Sequence, residues 1–509
     1  MTDSSRQREI GALVSYADTF VAMAVGLLYV PLLLRTIGQA EYGLYQLIGS
    51  IIAYLNIISS MLAAGVTRYY CKFFALGDKE GMAKTLGISK KIYSTANIVV
   101  VVAATALIFI VRTVYVTSLS PWELNESGII IGLLAFNLML TMNNTLSIAV
   151  ITAHERFVFL KLSNLTLTAL QPITVLLVVQ AMPYAVAVSA AQVALNALLR
   201  FVQRSYAIKK LGMDTSIRKY DRDLERELMR FSRNILLSTI ADQIFWKTDQ
   251  LILGYLYGTS VVAVYSVGMT INTIYLSLGM AVSSVFMPQV SELWHKDKNI
   301  QAISELFTRV ARIALYPLLL VLLGFIVFGK EFIILWAGPS YVEAYLIAVI
   351  VMIPFTVDLM QNIGLTILQV INKYGFRSMV YLTAATLNII LTLILAQTFG
   401  GIGAAISSSI AIIISSGCIL NWYYQTKIHL DMMIFWKNII RETIPLVAYA
   451  SIMFFAWSRY RMGVSAIGWI PLILGILIFS LGFLITAYLF SFNNSEKNLV
   501  KHLIHFSND

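Results

Sequence analysis

One stretch of the 509-residue chain concentrates side chains that could do chemistry: IADQIFWKTDQLILGYL, which holds Asp242, Gln243, Trp246, Lys247, Asp249 and Gln250. At 100° per helical residue these six fall on an arc of roughly 160°, with Ala241, Ile244, Leu251 and Ile252 turned the other way. Asp242 and Asp249 then lie about 10 Å apart along one face. An amine in such a stripe can receive an anion, and carboxylates at that spacing can take up a proton or a small cation. The same residues also suit a plainer role, an internal Lys–Asp pair with hydrogen bonds that hold a helix bundle. Outside this stretch, ionisable residues within apolar runs are few: Asp18, and Asp358 with Gln361 and Asn362 one turn on. Arg35 and Arg68 stand at the ends of apolar runs, where long side chains reach a polar interface. Asn56, Asn137, Asn143, Asn144, Gln171, Asn196, Asn272 and Asn388 read as helix-to-helix hydrogen bonding. No P-loop, HExxH, GxSxG or clustered histidine is present, so neither nucleotide hydrolysis nor a metal site is expected, and no cofactor.

The elements that must carry these residues follow from composition. The chain is 58% hydrophobic and 12% charged, with a mean hydropathy of +0.78. Soluble chains run about 45–50% apolar and about 25% charged. A soluble enzyme, a disulfide scaffold and a disordered protein are excluded; at about 20 apolar residues per span, the chain holds enough for roughly fourteen helices. Windows of that length place them near 10–34, 43–66, 91–112, 128–150, 159–180, 184–207, 234–256, 262–287, 308–329, 343–368, 377–398, 402–425, 442–459 and 467–490. Prolines 31, 172, 317 and 354 fall within spans and can bend them. Cys71 and Cys418 have no metal spacing and read as apolar bulk.

Charge sets the orientation. With the N-terminus inside, thirty-one of the 37 Lys and Arg lie on the cytoplasmic side, ten of them from Arg200 to Arg233, and five lie outside. Cytoplasmic loops collect such residues, so both termini are expected inside and the net charge of +11 calls for no nucleic acid. The outward loops are too short for a catalytic domain.

The chain also resembles itself. A shift of 220 residues lays LLLRTIGQAEYGLY over LILGYLYGTSVVAVY, with Gly38 on Gly258 and Tyr45 on Tyr265, and lays Asp78–Leu86 over Lys298–Leu306. It also sets Asp18 on Ser238, one turn from Asp242. A shift of about 217–218 lays HERFVFLKLSNLTLTAL over NKYGFRSMVYLTAATLN. An even number of spans per unit makes the repeats parallel. The expected organisation is a six-helix lobe at 1–208, a cytoplasmic linker at 209–233, a second six-helix lobe at 234–426, and two further helices with a tail at 427–509.

Residues Arg35–Phe74, Asp249–Gly268, Met287–Leu293, Ile371–Asn388 and Gly400–Ser409 together resemble bacterial polysaccharide-transport flippases of the multidrug/oligosaccharidyl-lipid/polysaccharide exporter superfamily. The resemblance covers essentially the whole chain. It implies an all-α polytopic protein of about fourteen helices, two lobes around a V-shaped central cavity, in a bacterial cytoplasmic membrane. It implies a transporter, not an enzyme, that moves an isoprenoid-diphosphate-linked oligosaccharide from the inner to the outer leaflet by alternating access. Membrane lipids and polysaccharide-assembly proteins are the partners it implies. Members often keep several arginines in the cavity, whereas this chain has only Lys247 clearly inside. The expected cavity or substrate contacts are thus Lys247, Gln243, Gln250, Trp246, Arg35 and Arg68. The candidates for coupling to a proton or sodium ion are Asp242, Asp18, Asp249 and Asp358. A cation-coupled multidrug antiporter of the same superfamily is the nearest rival, and a membrane glycan polymerase or ligase a more distant one.

Overall fold

The computed structural model describes residues 3–215, 221–283, 286–297, 299–464, 467–493 and 496–497. Over these residues it is built of helices joined by short connections, with no strand. Helices suit an apolar chain of this kind because each closes its own backbone hydrogen bonds without water. Eleven of the helices among the described residues are long and apolar enough to cross a membrane. Their outer faces show large apolar side chains to the surroundings, as at Ile98, Val102 and Phe109 or at Ile470, Leu481 and Ile485. A water-facing surface would not tolerate such bands.

The chain forms two compact units, Met1–Ser266 and Val267–Asp509. The first holds α1 (Asp3–Ala75), α2 (Lys79–Val114), α3 (Pro121–Ala153), α4 (Phe157–Ala181), α5 (Ala185–Leu211), α6 (Arg222–Tyr257) and the start of α7 (Thr259–Ser283). The spans expected at 10–34 and 43–66 are the two arms of α1, which breaks at Gly38 with φ 83° and ψ 175°. Only glycine adopts that geometry freely. Helix α6 starts on Asp221, whose carboxylate accepts from the backbone N–H groups of Asp223 and Leu224, and stops at Gly258. Its charged and amide side chains keep it out of the eleven apolar helices. It lies along the second arm of α1: the Tyr54 and Thr248 hydroxyls are 2.5 Å apart, and Gln250 accepts from Ser50. This packing puts α6 in the first unit.

In the second unit the end of α7 is followed by α8 (Met287–Glu292), α9 (Ile300–Trp336), α10 (Glu343–Met360), α11 (Ile363–Val370), α12 (Tyr374–Ile412), α13 (Leu420–Tyr423), α14 (Met432–Met462) and α15 (Trp469–Thr486). Helix α9 is the hub; it packs on α10, α14 and α15 and buries Phe307, Val310, Ala314 and Leu318. Prolines 31, 172, 317 and 354 all lie inside helices, as does Pro445.

The backbone repeats itself where the sequence does. Gly258 (φ 75°, ψ −167°) copies Gly38. Left-handed residues recur 217 positions apart, Glu155 with Asn372 and Gly212 with His429. The stacked rings of Phe159 and Tyr206, 3.9 Å between centroids, return at the same interval as Phe376 and Tyr423, also 3.9 Å. Asp78 caps α2 and Asn299 caps α9 with nearly the same dihedrals, which moves that part of the register by one residue from the expected 220.

Candidate functional site

A cavity of about 390 Å³ lies within the first unit. The second arm of α1 supplies Tyr45, Gln46, Gly49, Ser50, Ala53 and Asn56, positions that recur every three or four residues and so share one helical face. Helix α3 adds Leu134, Asn137, Leu138 and Thr141 by the same spacing, α5 adds Gln192, and α6 adds Gln243 and Lys247. Gly49 contributes space, since a Cβ there would meet nothing within 4 Å. The polar part of the lining is amides, hydroxyls and one ammonium; it contains no carboxylate. Lys247 makes no hydrogen bond or ion pair with any described residue, and Gln243 and Asn56 likewise have no protein partner. A half-buried ammonium within a helix bundle, with no partner among the described residues, is costly unless a ligand or water completes it.

The remaining residues of the α6 stripe go elsewhere. Gln250 is buried beside the cavity wall, accepting from Ser50 and donating to the Ser266 hydroxyl at 2.9 Å. Asp249 is buried and accepts from the Tyr265 hydroxyl at 2.7 Å. Trp246 packs edge-on against Phe245, and Asp242 is exposed. Arg35 is exposed on α1, and the exposed Arg68 lays its guanidinium 4.3 Å from the centre of the Phe231 ring; neither lines the cavity. Asp18 accepts from Thr168 of α4 at 3.1 Å. In the second unit Asp358 accepts from Ser416 at 2.6 Å. Of the ten expected residues, then, Lys247 and Gln243 share a cavity, with Gln250 just behind its wall.

Sequence reasoning missed most of that wall. Asn56 and Asn137 were read as bundle hydrogen bonds, and Tyr45, Gln46, Ser50, Thr141 and Gln192 were not singled out. Arg200, counted among the cytoplasmic basic residues, lies within α5 and bonds across to α3. The missed signal was spacing: Tyr45, Gly49 and Asn56, and Asn137 with Thr141, fall on single faces of helices that otherwise read as apolar.

A larger recess of about 570 Å³ in the second unit lies among α9, the start of α14, Asn493 and Glu496. Its lining mixes both signs of charge, and its Arg312 is already divided between Glu442 and Glu496, each at 2.9 Å.

Long kinked apolar helices around a half-open polar cavity define a multi-pass helical membrane protein built like a transporter. Residues 11–294 match the polysaccharide biosynthesis protein family, and the chain belongs to that family. It is 23% identical over 229 residues, 44% of its length, to the probable low-salt glycan biosynthesis flippase Agl15 of Haloferax volcanii, and 29% identical over 172 residues to the probable flippase AglR of the same archaeon. These matches cover 47% and 36% of the two relatives, less than half of each. The fold is similar to that of a structure of the lipid II flippase MurJ solved in an inward closed conformation, at a TM-score of 0.72 and 13% identity over 94% of this chain and 98% of that one. An inward-facing multidrug resistance MATE transporter of the MOP superfamily shares it at 0.65 and 12% identity, over 82% of this chain and 96% of that one.

Proposed function

We propose that the chain is a flippase that carries an isoprenoid-diphosphate-linked oligosaccharide across the cytoplasmic membrane. One observation carries this reading: the Lys247 ammonium lines a carboxylate-free cavity whose polar groups are amides and hydroxyls, without a partner among the described residues. Amides and hydroxyls replace the hydration that a sugar loses on leaving water, and the ammonium receives a phosphate. A cationic drug would find no carboxylate on this wall, which sets the reading above the multidrug antiporter. The family match and the flippase names of the curated relatives support it.

The full proposal has fourteen spans. The eleven apolar helices include two that break at a glycine, α1 at Gly38 and α12 at Gly400, and α6 supplies the last. They form two six-helix lobes and two further helices around a V-shaped cavity, with both termini in the cytoplasm. The lobes open alternately to each side while the isoprenoid tail stays in lipid. Negative charge moving outward is favoured by about 2.3 kcal/mol per charge per 100 mV of inside-negative potential. The exposed Asp242 and the half-buried Asp18 return a proton or sodium ion and reset the carrier; Asp249 and Asp358 hold Tyr265 and Ser416.

The test is genetic. Deletion is expected to trap lipid-linked oligosaccharide on the cytoplasmic leaflet, and Lys247→Ala is expected not to rescue it. Normal export by the Ala variant removes Lys247 from the mechanism, while unchanged glycan with heightened dye sensitivity points to the antiporter.

A further inference from the structure

Arg200 is a cation held inside the first unit by neutral oxygens alone. Its Nη1 donates to the Asn137 backbone carbonyl at 2.9 Å and to Asn137 Oδ1 at 2.8 Å, and its Nη2 donates to the Thr141 hydroxyl. No carboxylate pairs with it among the described residues. Keeping a guanidinium in a membrane bundle without a counter-ion is expensive, and plain helix-to-helix bonding would be met by a neutral group.

What Arg200 does for Asn137 follows from its inventory of donors. A guanidinium donates and never accepts, so the Asn137 amide can face it in one orientation: oxygen toward Arg200, nitrogen away. Asn137 also lines the cavity, and its Nδ2 has no partner among the described residues. Thr141 behaves in parallel. Its oxygen accepts from Arg200 and its proton goes to the Asn137 carbonyl at 2.9 Å. On the neighbouring helix, Tyr45 donates to Gln192 Oε1 at 2.9 Å, which leaves the nitrogen of a second lining amide unpartnered.

We propose that Arg200 is a positioning residue that fixes the polarity of the cavity wall. By holding the Asn137 oxygen it turns the amide N–H pair to the cavity, beside Lys247 and Gln192, so that the wall presents donors to the oxygen-rich diphosphate of the cargo. The proposal rests on the anionic cargo of the preceding section and adds the residues that read it.

Three probes test it on the purified full-length chain: farnesyl diphosphate, inorganic pyrophosphate and farnesol, with affinity and the unliganded melting temperature both measured. Asn137→Asp is the decisive variant. Its carboxylate pairs with Arg200 and keeps the fold, but it sets an acceptor oxygen where the N–H pair stood. Loss of a charge-assisted donor predicts affinity for farnesyl diphosphate lower by roughly tenfold or more, with farnesol unchanged. Arg200→Gln can accept as well as donate, so it frees the amide to turn and is expected to lose a similar factor. Arg200→Lys is again donor-only and is expected to regain most of it. Pyrophosphate that competes fully identifies the free anion as sufficient, and pyrophosphate that fails to compete identifies the lipid-borne head group; either agrees with the proposal. Wild-type affinity in Asn137→Asp overturns the role of Arg200 and leaves the flippase reading standing. An Arg200→Lys chain no better than Arg200→Gln also overturns it. A wild-type chain that binds neither diphosphate overturns both.

Discussion

The two units carry the same bridge with opposite charge. In the first, Arg200 of α5 reaches α3 and holds the Thr141 hydroxyl. In the second, Ser416, in the π-helical stretch Ile413–Ile419 that continues α12, reaches α10 and donates to the Asp358 carboxylate at 2.6 Å. The 217-residue shift sets Thr141 on Asp358 and brings Arg200 within one residue of Ser416. One turn further on, both units have an amide pair. Asn144 donates to Gln203 at 2.6 Å in the first unit, and Asn421 donates to Gln361 at 3.1 Å in the second. The neutral pair appears in both because any two helices packed at that point need their polar groups closed. The charged member differs: in the first unit its partners Asn137 and Thr141 line the polar cavity that carries Lys247. A duplicated frame therefore does not imply a duplicated site.

The largest effects should separate cavity from frame. Gly49→Leu places an isobutyl group in open space, since even the first carbon of a side chain there meets nothing within 4 Å. It is expected to fill the cavity, to reduce export of lipid-linked glycan to background and to leave the melting temperature close to wild type. Asp358→Asn keeps an acceptor for Ser416 and is expected to hold export within about twofold, well under 1 kcal/mol. A leaflet-resolved export assay on both variants decides the matter. Equal damage from the two would make Asp358 part of the transport path and break the comparison.

The sequence made the class and the frame readable because both rest on long-range averages. Apolar runs, the bias of Lys and Arg and the repeat of Gly38 at Gly258 each sum over many residues. The cavity wall depends on which face of α1, α3 and α5 meets α6, and those helices are too apolar for their few amides to mark a face. The α6 stripe was legible as polar but not in its division. Lys247 and Gln243 turn to the cavity while Asp249, two residues after Lys247 and thus about 160° away after removing one full turn, meets Tyr265. The bonds of Arg200 to α3 were not legible because a basic residue at the end of an apolar run looks the same whether it reaches water or a neighbouring helix.

The amide pairs give the next test, of moderate size. Asn144→Leu takes the donor from Gln203, whose own amide nitrogen still reaches Ser163 at 2.9 Å. Gln361→Leu takes the acceptor from Asn421, which keeps the Ser416 carbonyl at 2.7 Å and the Trp436 indole at 2.9 Å. The first unit thus loses one bond and the second two, since Gln361 also donates to Asn421 Oδ1 at a long 3.4 Å. A hydrogen bond within a membrane bundle averages about 0.6 kcal/mol, and an orphaned buried group costs about 1–3, so each variant should lose about 1.5 kcal/mol. Detergent-titrated unfolding followed by tryptophan fluorescence measures this, and losses that differ by more than about 1 kcal/mol would mean that the frames are not equivalent.

The smallest expected difference lies at the matched helix starts. Asp78 accepts from the Gly81 N–H and Asn299 from the Ala302 N–H, both at 2.9 Å and both from an extended residue. Removing such a cap costs about 0.5–1 kcal/mol at an exposed helix start, so Asp78→Ala and Asn299→Ala should fall together in that range. Asp78 adds one thing that Asn299 lacks, a full negative charge at the positive end of a helix, which contributes about 0.3–1 kcal/mol at low ionic strength. Asp78→Ala should therefore be slightly the more damaging in dilute buffer. Salt screens that contribution and leaves the hydrogen bond, so the gap should close as salt rises past the point where the Debye length falls to about 3 Å, near 1 M. A gap that survives there would place the difference in the cap geometry and would count against the two starts being copies of one design.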